Sequence, residues 1–125
     1  MLNILRGVVG TPYNLPAQLL AQYPELGDAS WRRGGLALRI GGWCLGRSTV
    51  SGITLWRTVW LSPESAPEPE VLLHELRHVH QFEADPLFPL RYLWRGVRHG
   101  YTDNPYEADA RAFAARRLAE AHPTA

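Results

Sequence analysis

Apolar residues along the 125-residue chain change period twice, and the changes mark its elements. Residues 1–35 read as loop with one helix: Asn14 offers a cap, Pro16 sits near the first turn, Ala17–Tyr23 continue it, and Pro24 and Gly27 end it. From Leu36 the period becomes two. Leu36, Leu38 and Ile40 alternate with Ala37 and Arg39, Gly41-Gly42 offers a tight turn, and Trp43–Leu45 form a return strand. Ile53–Leu61 reads as one strand. Ile53, Leu55, Val59 and Leu61 share one face, interrupted by Arg57, and Thr54, Trp56, Thr58 and Trp60 share the other.

Helical spacing begins after the proline-rich segment Ser62–Pro69. A helix is predicted over 69–82, with Leu72, Leu76 and Val79 facing inward. Asp85 and Pro86 suit the N-cap and first position of a further helix ending near Gly96 or Gly100. The last helix is predicted over 104–121, opening at Asn104-Pro105 and running through an alanine-rich stretch. The fold expected is a single α+β domain over 1–125. Strands at 36–61 form a short antiparallel or mixed sheet, packed on the helices that follow.

Composition narrows the function. Thirteen basic residues against 12 acidic ones give a net charge of +1, which lacks the strongly basic footprint of a dedicated nucleic-acid binder. Every basic residue is arginine, which suits ion pairing. Cys44 is the only cysteine, so an intrachain disulfide and a multi-cysteine zinc site are excluded. The N-terminal MLNILRGVVG is too short for a membrane span and lacks a cleavage pattern, so a cytoplasmic protein without membrane contact is expected. Arg91, Arg95 and Arg98 with Tyr92 and Trp94 are a weak signal for nucleic acid or acidic lipid. Salt bridges to Glu64, Glu68, Glu70 or Glu83 explain them more simply.

The chemistry concentrates in His74-Glu75-Leu76-Arg77-His78. Positions i and i+4 lie one turn apart on one helical face, so both imidazoles can address one ion, and Glu75 beside them can reach a water. At this composition HExxH arises by chance in about 1% of such chains. The alternative is a helix face that happens to carry two histidines.

A catalytic zinc needs a third protein ligand. His80 is rotated by about 200° from His78, and Glu83 and Asp85 lie too close to the helix end to fold back. Glu107 and Asp109 stand on a separate helix that can pack across the first. Glu107 is preferred, with Asp109 as the alternative. Glu107 also occupies the third helical position after Asn104, where a capping box alone would explain it.

HELRH followed by a helix bearing NPYEADA resembles the gluzincins, metallopeptidases with HExxH and a downstream glutamate ligand, and is similar to their minimal zincin domains. The resemblance covers roughly residues 50–118 and implies one Zn2+ held by His74, His78 and Glu107, with Glu75 as general base. It implies a peptide or protein substrate. Where many gluzincins carry an aspartate four residues after the ligand glutamate, this chain has Arg111, so a histidine must be oriented by another group, such as Asp109 or a backbone carbonyl. The HExxHxxGxxH class is excluded, because Val79-His80-Gln81-Phe82-Glu83-Ala84-Asp85 follows His78.

Tyr101 and His99, just ahead of the glutamate helix, are candidate oxyanion donors, although a packed aromatic and an exposed loop histidine describe them more simply. Trp56 and Trp60 can line a groove where extended substrate adds to an edge strand, or can pack against helices. The rival functions are a non-catalytic zinc-stabilised binding module and a metal-free helical unit.

Overall fold

The computed structural model describes residues 9–35, 52–63 and 68–122. The alternating segment Leu36–Leu45 lies outside them. Elements run β1 (Thr11–Pro12), α1 (Ala17–Gln22), a 3-10 turn (Pro24–Asp28), β2 (Ser30–Arg33), β3 (Gly52–Leu55), β4 (Thr58–Leu61), α2 (Pro69–Ala84), α3 (Phe88–His99) and α4 (Pro105–Ala121). The architecture is α+β. A mixed sheet of order β1-β2-β4-β3 pairs β1 with β2 and β3 with β4 antiparallel, and β2 with β4 parallel.

The expected single strand Ile53–Leu61 is instead a hairpin. Trp56 and Arg57 form its two-residue turn, and Trp56 takes a left-handed backbone with φ 54°. The turn changes the parity of the faces. Ile53 pairs with Trp60 and Thr54 with Val59, so Ile53 and Val59 no longer share a side. Buried Thr54, Val59 and Leu61 face the helices. Trp60 lies on the other side, where its Nε1 donates to the Val9 carbonyl at 2.8 Å. Trp56 is exposed at the turn, its ring 5.4 Å from Phe82. The two tryptophans therefore do not line one face of one strand.

Strands β1 and β2 were not legible in residues 1–35. Ser30–Arg33 has no apolar alternation, and its partner β4 is remote in sequence. The first helix begins after Pro16 without an Asn14 cap and stops at Gln22, leaving Tyr23 fully buried in the core.

Helix α2 packs on β3 along one side and on α4 along the other. Leu72, Leu73, Leu76 and Val79 are completely buried with Val59, Tyr23 and Leu26. Each such aliphatic side chain contributes about 1.5–3 kcal/mol. Gly52 permits the close approach of strand and helix: a Cβ there would lie 3.3 Å from the Glu75 Cγ and from the Trp60 carbonyl oxygen. Helix α4 begins where its sequence signals place it, with Asn104 Oδ1 accepting from the Tyr106 amide at 3.0 Å. Its inward face carries Glu107, Ala110 and Ala114, all buried. The two alanines let α4 lie close against α2, which brings the carboxylate above them to the histidines.

Helix α3 starts later than predicted. Leu87 is its N-cap and Pro89 lies in the first turn, while Asp85 Oδ1 instead caps a preceding turn by accepting from the Leu87 amide at 2.9 Å. Ala114→Leu should overfill the α2–α4 contact and cost about 1–3 kcal/mol. Leu76→Ala should cost about 2–5 kcal/mol. Leu20→Ala, at a more exposed site, should stay within about 0.5 kcal/mol in the same urea-unfolding series.

Candidate metal centre

His74 and His78 stand one turn apart on α2, their ring centroids 5.1 Å apart and nearly perpendicular. The Glu107 carboxylate enters between them from α4. Its Oε2 lies 2.8 Å from His74 Nε2 and its Oε1 3.0 Å from His78 Nε2. Donor atoms of all three lie within 4.8 Å of one another, so the group can hold a metal ion. Two imidazoles and one carboxylate form a donor set of the kind found in catalytic zinc sites.

The groups behind these donors were not anticipated, except in part. Gln81 Oε1 lies 2.7 Å from His78 Nδ1. Its amide nitrogen donates to the Tyr106 carbonyl at 3.0 Å and to Asp109 Oδ2 at 2.9 Å. Those two acceptors set the amide so that its oxygen faces His78. In neutral His78 the proton then sits on Nδ1, and the Nε2 lone pair points into the site. Asp109 thus orients His78 through Gln81 rather than by direct contact. Arg77 grips Asp109 through Nε and Nη2, at 2.7 and 3.3 Å, and holds its carboxyl below its ordinary pKa. Asp109 is therefore engaged as an anchor, and Glu107 supplies the third donor.

Glu107 is 3% exposed. Burial alone would favour its neutral acid. Hydrogen bonds from both histidines and the Tyr92 hydroxyl, the last at 2.8 Å, outweigh that and hold its pKa well below the ordinary value. The N-cap amide of Asn104 bonds to the Tyr101 carbonyl, so Glu107 is free of the capping-box role. Burial, with the charge of Glu107, keeps the Tyr92 phenol protonated far above its usual range. For His78, burial opposes charge, but Glu107 and Glu75 more than offset it and raise the pKa to about 9.

Glu75 is also buried beside the pair. The Thr54 hydroxyl lies 2.8 Å from its Oε2 and 3.2 Å from its carbonyl oxygen. This contact joins strand β3 to the motif helix, and it depends on a pairing register that spacing within α2 does not encode.

The remaining residues weighed from the sequence add no donor to the group of His74, His78 and Glu107. His80 sits edge-on to Phe113 at 5.7 Å, as its rotation requires. Glu83 pairs loosely with Arg57 at 3.9 Å, and Asp85 with Arg91 at 3.2 Å. His99 is exposed at the end of α3, whereas Tyr101 is half-buried. Among the described residues, no helix is long and apolar enough to cross a membrane.

No family model, curated protein or solved structure matches the chain.

Gln81→Leu should weaken affinity for a divalent metal ion about 10- to 100-fold in competition with a chelating dye, with helicity unchanged, because His78 loses its orienting acceptor. A second outcome concerns chelator-treated protein. The folded pKa of His78 lies above its unfolded value of 6.5, so its contribution is complete below 6.5 and is lost as pH rises through about 9. Glu107 is shifted downward, so its contribution is present above its ordinary 4.5 and is lost on acidification. Melting temperature should accordingly fall on both sides of this window, and His78→Gln should flatten the alkaline side.

Proposed function

We propose that the protein is a zinc-dependent metallopeptidase of the gluzincin type, with a minimal zincin-like domain. The observation that carries this reading is the convergence of His74, His78 and Glu107 from two helices beside a buried, strand-anchored Glu75. His74, His78 and Glu107 would hold one Zn2+. Bound there, the ion supplies Lewis acidity and lowers the pKa of a coordinated water toward neutrality.

The chain's own groups supply the remainder. Glu75 accepts the proton of the attacking water and passes it to the leaving amine. Thr54 holds one oxygen of Glu75, which fixes the direction in which the other can accept. Gln81 and Asp109 keep His78 in the tautomer that presents Nε2. Tyr92 donates to Glu107 and orients that carboxylate. Of the two candidate oxyanion donors, we keep Tyr101, which is half-buried where His99 is exposed.

Among the described residues β3 is an edge of the sheet, and it carries Thr54 toward Glu75. An extended peptide added along β3 would run beside the base, which supports a peptide substrate over a small molecule.

Elemental analysis of purified protein should find one zinc per chain, lost in His74→Ala and in Glu107→Ala. Glu75→Gln should keep the zinc and reduce cleavage of a peptide library about 100- to 10,000-fold, the range for losing a general base. Undiminished cleavage in Glu75→Gln would remove the catalytic reading. Zinc retained with no cleavage by wild-type protein would favour the non-catalytic module.

A further inference from the structure

We propose that α3 docks the protein on an anionic phospholipid surface. This goes beyond the peptidase reading and does not depend on it. The helix presents three distinct faces. Phe88 is buried, Tyr92 reaches Glu107, and Gly96 lies beside Asn104, so these positions form the inner face. Leu87, Leu90, Leu93, Trp94 and Val97 fall within an arc of about 120° when successive residues are turned by 100°. All five are more than half exposed, Leu90 at 67% and Val97 at 83%. An apolar row of this kind on a soluble surface marks something that covers it.

Charge identifies the occupant. Arg91, Arg95 and Arg98 form the flank of the same helix, and no aspartate or glutamate occurs between Pro86 and Thr102. The salt bridges expected from the sequence do not form among the described residues. Arg91 takes Asp85, while Arg95 and Arg98 pair with no carboxylate among the described residues, which do not include Glu64. A second copy of this face would oppose arginine to arginine with no acid to neutralise either. A nucleic acid would satisfy the arginines but leave three leucines and a valine without partners. Phospholipid satisfies both, because acyl chains take the aliphatic arc while phosphates receive the guanidinium groups above it. Trp94 suits the boundary between them. Twelve residues are too few to span a bilayer, so the helix would lie in its surface. Because its inner face holds Tyr92 against Glu107, docking would place the metal centre beside the lipid. The sequence alone pointed away from membrane contact, since three arginines in a nearly neutral chain are unremarkable until the apolar row beside them is seen to be exposed.

Flotation of the full chain with vesicles tests this. Protein should float with phosphatidylcholine–phosphatidylglycerol vesicles and remain behind with phosphatidylcholine alone. Arg95→Gln and Arg98→Gln should each lower partitioning about fivefold. Leu90→Ser combined with Leu93→Ser should abolish it while preserving zinc content and melting temperature. Brominated acyl chains should quench the tryptophan emission of wild type more than that of Trp94→Phe. Failure to float, equal flotation with both vesicle types, or flotation unaffected by the leucine changes would overturn the proposal. So would a solution dimer broken by those changes, or binding to RNA in place of vesicles. Glu75→Gln should float like wild type, so a loss of the peptidase reading and a loss of this one are read separately.

Discussion

The buried carboxylate of Glu107 is the constraint around which the helical layer is arranged. Taking an ionised carboxylate out of water costs several kcal/mol unless its oxygens are paired. Here α2 supplies two imidazoles and α3 a phenol, so three elements must be in register before the charge is tolerated. Such a cluster adds little net stability over apolar packing. It specifies an arrangement: α4 cannot slide or rotate against α2 without stranding a charge. The alanines at 110 and 114 allow the close approach, and the polar cluster fixes where it stops.

A second layer transmits that order outward. Arg77 fixes Asp109, Asp109 and the Tyr106 carbonyl fix Gln81, and Gln81 fixes His78. On the opposite flank, Thr54 fixes Glu75 from the sheet. His78 and Glu75 are thus held by different layers of the fold. Helix α3 contributes Tyr92 inward and an apolar row outward, so a single short helix joins the centre to the protein's surface.

Legibility followed the distance over which each feature is encoded. The inward positions Leu72, Leu76 and Val79 and the start of α4 at Asn104-Pro105 depend on local periodicity and capping, and they stand where expected. The hairpin was misread as one strand because Leu55-Trp56-Arg57-Thr58 carries no glycine or asparagine at its turn, and Trp56 adopts a positive φ that its residue type disfavours. Strand β2 was missed because a parallel pairing has no local signature. Gln81 and Tyr92 carried no motif signal. Gln81 is one turn beyond His78, where an i+3 partner is possible, but Asp109 and the Tyr106 carbonyl from another helix select it.

By itself the sequence determined that two imidazoles share a helical face with a carboxylate beside them, because backbone geometry makes i and i+4 neighbours wherever a helix forms. It also narrowed the third donor to one later helix. The tertiary structure decided which carboxylate arrives there, which groups hold the donors in place, and which face of α3 stays uncovered. Those outcomes depend on how separate elements pack against one another, and an interhelical approach or a strand register is a property of surfaces meeting in space that no local spacing records.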